Sequence, residues 1–171
     1  MDNIHDIQQL VLHASAASGD AELLADAINM DGTIRRMSPY IYSCGMKIND
    51  PYDGCTALCT ASYFGHAECV EVLLRMRASH TLRAPWHGML NGMAPLHLAA
   101  TSDSDGHTEC VAELLRAGAD LGATFGPDSS TALHLAARFA SVNAAWLICR
   151  TDHFRVSGAW AALMCTPWSA S

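Results

Sequence analysis

Cys55, Cys59, His66 and Cys69 stand close together in the chain, and their side chains are donors that zinc favours. A structural zinc site requires four such donors to converge on one point, so the elements that carry them decide the question. Cys44, Cys110 and Cys149 and Cys165 bring the thiols to seven, an odd number at irregular spacing. That is not the dense, paired framework of a small secreted disulfide domain. Cys44 is the best candidate for a reactive thiol, although no neighbour in sequence is placed to lower its pKa. Nine histidines offer groups that titrate near neutral pH. A catalytic histidine needs a positioned partner, and no Gly-x-Ser-x-Gly elbow, phosphate loop or Gly-x-Gly-x-x-Gly run accompanies any of them. Ser129-Ser130 has no identifiable base, and the acids are dispersed. No catalytic residue, cofactor or metal is assigned, and the chain is read as not being an enzyme.

The chain's bulk properties narrow the classes. A length of 171 residues suits one domain with a real core. Half the residues are apolar and 16% are charged, which excludes global disorder. The net charge of −7 comes without a basic cluster: Arg35-Arg36 is the longest basic feature and Lys47 the only lysine. That balance argues against sequence-independent nucleic-acid binding. The first residues lack a basic and apolar leader pattern, and no stretch of about 18 apolar residues exists. A reduced, cytoplasmic protein is the expectation, the nucleus being an open alternative, with neither nucleic acid nor membrane as partner.

The elements repeat. Leu58-Cys-Thr-Ala-Ser-Tyr-Phe-Gly65-His66-Ala-Glu68-Cys69-Val70 returns as Pro95-Leu96-His97-Leu98-Ala99-Ala100 followed by Gly106-His107-Thr108-Glu109-Cys110-Val111. Thr131-Ala132-Leu133-His134-Leu135-Ala136-Ala137 opens another copy, and Leu12-His13-Ala14-Ser15-Ala16 with Gly19 is a weaker first one. The pattern resembles the ankyrin repeat, whose signature is Thr-Pro-Leu-His-x-Ala at a period near 33. The resemblance implies an all-α solenoid of about four repeats, each a hairpin loop and two antiparallel helices. The repeats fall near residues 8–40, 53–85, 91–125 and 128–152, so that residues 1–150 form the repeat domain and 151–171 a degenerate apolar tail. It also implies structural roles for His97 and His134 at the hairpin base and for His66 and His107 in turns. Cys59 then takes a signature-histidine position and Cys69 an apolar one, which accounts for these residues without a metal.

Local physics agrees with the repeat. The small pairs Ala61-Ser62, Ala99-Ala100 and Ala136-Ala137 allow helices to approach closely. Gly65 suits a left-handed helix end. Cys69, Val70, Leu73 and Leu74 share one apolar helical face, repeated by Cys110, Val111, Leu114 and Leu115. Gly118 stands where the second helix stops, and Arg77 holds the equivalent place one repeat earlier, at a cost of about 1 kcal/mol if the backbone there is left-handed. Residues 3–17 have the spacing of a first helix. The fourth copy decays: Ala140-Ser141 replaces Gly-His, Asn143 replaces Glu, and Ala144 to Ile148 suggest a short apolar helix.

The anchors Leu12, Leu58, Leu96 and Leu133 are 46, 38 and 37 residues apart, each more than one period. The extra residues fall between about Thr33 and Asn49, around Arg83 to Met89, and within Ser102 to Asp105. Long loops in a compact repeat are often functional. The first carries Tyr40 and Tyr42, the second Arg83, Trp86 and His87, residue types that make binding hot spots if they are exposed. The alternative is that Tyr40, Ile41 and Tyr42 fold back over the end of the core. The resemblance places variable contact positions at Pro51, Tyr52, Cys55, Tyr63, Met93, Thr101, Ser130 and Arg138. With Tyr40, Tyr42 and Trp86 these would form a concave face of hairpins and inner helices that docks a partner protein.

A narrower reading follows from the long early loop and the insertion before Gly106. These are similar to ankyrin proteins with a SOCS box, substrate receptors that bind elongin and cullin components of ubiquitin ligases. The elongin-binding pattern of Leu, three residues and Cys is missing, because Ala145 precedes Cys149 and Ala161 precedes Cys165. The chain would then be a receptor form without its ligase arm. After Arg155 the sequence has no charge, whereas a solenoid end needs a polar outer face. The tail could pack on the last repeat, stand exposed, or mark a truncated or alternatively spliced product, the reading favoured slightly by sequence.

Overall fold

The computed structural model describes residues 3–28, 48–52, 55–83 and 91–156. They form eight helices: α1 (Asn3–Ser18), α2 (Ala21–Ala27), α3 (Ala57–Phe64), α4 (Ala67–Arg75), α5 (Pro95–Ala99), α6 (Asp105–Arg116), α7 (Ala132–Arg138) and α8 (Val142–Val156). Consecutive helices pair as antiparallel hairpins, and the pairs stack. First helices pack in the series α1, α3, α5, α7 and second helices in the series α2, α4, α6, α8. The architecture is the all-α solenoid expected from the sequence.

The periodic leucines explain why these segments are helical and how they stack. Leu12, Leu58 and Leu96 are buried, as are Cys69, Val70 and Leu73 of α4 and Cys110, Val111 and Leu114 of α6. Each set is one apolar stripe at helical spacing, so the stripe of one pair covers that of the next and a single core runs through the array. Thr56 caps α3, its hydroxyl accepting the Cys59 N–H at 3.3 Å, and Ser104 caps α6, accepting the His107 N–H at 3.4 Å. The residues inserted within Ser102 to Asp105 thus became the capped start of α6, after an α5 of only five residues.

Gly65 ends α3 at φ +76°, the left-handed conformation its position required. Arg77 holds φ +64° at the matching end of α4, where Gly118 after α6 has φ +88°. A side chain in that region is strained by about 1–2 kcal/mol, partly offset because a glycine also loosens the unfolded chain. Arg77→Gly should therefore stabilise the protein by ~0.5–1 kcal/mol. A rise in the urea midpoint at unchanged slope checks this.

The fourth pair departs from expectation. Its second helix, α8, is 15 residues long and passes the boundary expected after residue 150. Ala140 adopts φ +55° where the first two pairs place Gly19 and Gly65, so the turn survives there without glycine. The side chain of Asp103, in the repeat-three insertion, accepts the N–H of Asn143 at 3.0 Å and satisfies a donor at the start of α8. That contact links the third pair to the fourth, whose second helix also buries Ala144 and Ile148 against the array. In the small pair Ala136-Ala137, Ala136 is buried and Ala137 exposed.

Candidate functional site

The histidines and cysteines act as wiring between pairs. The His97 ring accepts the Ala94 N–H on Nδ1 at 3.2 Å and donates from Nε2 to the Ala123 carbonyl at 2.9 Å, in the next hairpin. Only the neutral ring does both, and burial holds its pKa below the usual histidine value. Cys59, in the same register of α3, points its thiol at the Leu82 carbonyl of the following hairpin, 3.8 Å away. His13 in α1 is buried against Tyr52, with ring centroids 5.6 Å apart. Burial lowers its pKa to about 4, and a hydrogen bond to the Asp50 backbone carbonyl offsets only part of that. The turn histidines reach the other way: the rings of His66 and His107 donate from Nε2 to the carbonyls of Ala17 and Tyr63, at 2.9 and 3.0 Å.

The four zinc-type side chains therefore do not converge. His66 is turned to Ala17, Cys69 to the Ser15 carbonyl at 3.9 Å, and Cys59 to Leu82. Among the described residues no cluster of three or more histidine, cysteine or acidic side chains is disposed to hold a metal. A hydrogen bond to Cys55, together with burial, raises the Cys59 thiol, and burial pushes Cys69 up to about 11 and Cys110 up to about 12. Such thiols stay protonated and behave as small hydrophobes.

The sequence-derived contact positions form two rows. Cys55, Met93 and Ser130 each lie two residues before a first helix, and Tyr63, Thr101 and Arg138 lie at or just past the ends of those helices. Cys55 and Met93 are buried, so they underlie the surface rather than present it. Tyr52 is half-buried against His13, Tyr63 and Arg138 are exposed, and Thr101 and Ser130 are partly so. Tyr40, Tyr42 and Trp86 lie outside the described residues.

Between the third and fourth pairs the two rows meet in an open cavity of about 370 Å³. Met93, Thr101, Ser130 and Arg138 all line it, with Leu135 among its apolar wall residues. The sequence reading missed Phe125, Asp128 and Phe139, which complete the wall. Gly126-Pro127-Asp128 is a turn signal that marks the hairpin tip, and Phe125 and Ser130 close that hairpin through paired backbone bonds of 2.9 and 3.1 Å. Arg83 is not a free loop residue: its guanidinium donates to the carbonyls of Gly92 and Thr124, at 3.2 and 2.5 Å, and ties neighbouring hairpins. The cavity is thus set in a braced frame, with an apolar wall and both an arginine and an aspartate at its edge.

Among the described residues no helix is long and apolar enough to cross a membrane. No curated protein matches the chain in sequence. A family model described as "Ankyrin repeats (3 copies)" matches residues 3–124 and 82–157. Ankyrin repeats are protein-interaction modules and typically non-catalytic. Repeat register, stacked helix pairs and family match agree: this chain belongs to the ankyrin repeat family.

Proposed function

We propose that the chain is a binding module whose partner protein docks on the face of hairpins and first-helix ends, centred on the cavity between the third and fourth pairs. The observation that carries this reading is the convergence of Met93, Thr101, Ser130 and Arg138 on that one cavity. Apolar walls with a few polar groups at the rim suit the side chain of a docked segment. Tyr63, exposed at the end of α3, extends the face toward the N-terminal pairs. Binding is by shape and charge against a rigid frame, without chemistry.

The test is affinity capture from cytosolic lysate, comparing the chain with a variant carrying Ser130→Tyr and Arg138→Glu. Both substitutions are at accessible positions and should leave the melting temperature nearly unchanged. Proteins retained by the chain should be lost from the variant, a fall in affinity of roughly tenfold or more. Equal retention excludes this face. The narrower role, a substrate receptor of an elongin–cullin ligase, rests on the sequence resemblance alone. Elongin subunits among the captured proteins would support it, and their absence would leave a plain adaptor or scaffold.

A further inference from the structure

Each helix pair turns one face to its predecessor and another to its successor, and the repeat register identifies both. The Thr60 hydroxyl of α3 lies 3.5 Å from Nδ1 of His13 in α1, and the Cys69 thiol of α4 points at the Ser15 carbonyl of α1, so these two positions look back. Their counterparts in the later pairs, Leu98 and Leu135 for the first and Cys110 and Ala144 for the second, are buried like them. In the first pair the same positions hold Ala14 and Leu23, and both are exposed, Leu23 by 45%. The forward positions mirror this. Leu12, Leu58 and Leu96 are buried where another pair follows, while Leu133 in the fourth pair is 38% exposed. Ala16, Ser62 and Ala100 are buried, while their counterpart Ala137 is exposed. On α8, Val142 and Trp146 lie one turn apart and are 69% and 58% exposed. The described stack thus presents two apolar faces, and these are the two halves of the contact that joins its pairs internally.

The two faces also differ in charge. α2 carries Glu22 and Asp26 and no basic residue. α8 carries Arg150 beside its apolar stripe, with Cζ 5.1 Å from the centroid of the Trp146 ring. The equivalent arginines of α4 and α6, Arg75 and Arg116, pair with Glu71 and Glu113 of their own helices. Trp146 stands in the place of Glu71, and Arg150 has no carboxylate partner among the described residues. Apolar patches with a polar rim mark surfaces where another molecule docks, and opposite charge at the rims fixes register.

We propose that a second copy of the chain covers these faces, the fourth pair of one copy docking on the first pair of the next in the register that successive pairs use within the array. Leu133, Val142 and Trp146 of one copy meet Ala14 and Leu23 of the other, and Arg150 comes to the acidic helix α2. The contact extends the one that already seats α3 on α1 and α4 on α2. Because the two faces of a copy differ, association is head to tail and grows with concentration instead of closing as a twofold dimer.

Sedimentation velocity of the whole 171-residue chain tests this, from ~5 to ~500 µM and with a reductant present so that the exposed Cys149 forms no cross-link. The mean mass should rise with concentration to about twice the 18.3 kDa of one copy or more. Trp146→Glu, which spoils the forward face, and Leu23→Glu, which spoils the backward face, should each hold the chain at the mass of one copy. An equal mixture of the two variants should form a dimer and stop there, since each supplies the face the other has lost. A chain that stays single at every concentration overturns the proposal, because its faces are then covered by its own residues or by another molecule. Loss of association in Trp146→Glu but not in Leu23→Glu also overturns it, in favour of a twofold contact of one face with itself. A mixture that remains single does the same. Both substitutions are at exposed positions; should thermal unfolding show that either variant is not folded, Val142→Glu and Ala14→Glu, on the same two faces, take their place with the same expected outcomes.

Discussion

Gly106→Ala is expected to destabilise the stack by about 3 kcal/mol, one of the largest effects of any single methyl addition in this chain. A Cβ at Gly106, in the first turn of α6, would overlap the carbonyl oxygen of Gly65 at the end of α3. That oxygen belongs to the backbone of the preceding pair, so neither side can yield without shifting a whole helix hairpin. The His107 ring closes the same contact by packing over Gly65 and bonding the Tyr63 carbonyl. Gly118→Ala is the control. Gly118 has φ +88° but open space around it, so only the backbone strain of about 1 kcal/mol applies. Thermal unfolding should show a loss of roughly 10 °C for Gly106→Ala and a few degrees for Gly118→Ala. Equal losses would mean that the turn-on-turn contact carries no special weight.

The second large effect is with pH. His13 is neutral in the folded chain down to about pH 4, while in the unfolded chain it titrates at its ordinary value of 6.5. Between those values the unfolded chain binds a proton that the folded chain does not, so stability rises with pH there. The contribution is complete above about pH 6.5 and is lost as pH falls toward 4, a loss of about 3 kcal/mol for His13. His97, also lowered by burial, adds in the same direction. Its Nδ1 accepts the Ala94 N–H, so protonation there breaks the bond that starts α5. Urea midpoints measured from pH 7.5 to pH 4.5 should fall steeply below pH 6.5, and His13→Gln should flatten part of that fall. A constant midpoint down to pH 5 would remove the buried histidine from the account.

These two effects show how unevenly the sequence discloses the molecule. The repeat register, the helix faces and the turn at Gly65 were legible because each depends on residues within a few positions of one another. The wiring role of Cys59 was legible only as a substitution at a signature position; its partner, the Leu82 carbonyl, lies 23 residues away in the next hairpin. The length of α8 was missed because the weakened fourth copy has lost its Gly-His turn, and Asp103, supplied by the insertion in the third pair, stabilises its start from outside.

By itself the sequence determined the unit: a helix pair with an apolar stripe, small residues where helices meet and a left-handed turn between them. Those features follow from the 3.6-residue period and from steric limits on the backbone, which act locally. Only the tertiary structure decided which copies of the same residue are buried. Leu96 and Leu133 stand in equivalent positions, yet the first lies in the core and the second at an open end. Only the stack, likewise, brought Thr101 and Arg138 from different pairs to the wall of one cavity. The reason is that burial and concavity belong to the contact between units, and that contact depends on insertion lengths and on what lies beyond the last unit, neither of which is encoded within a repeat.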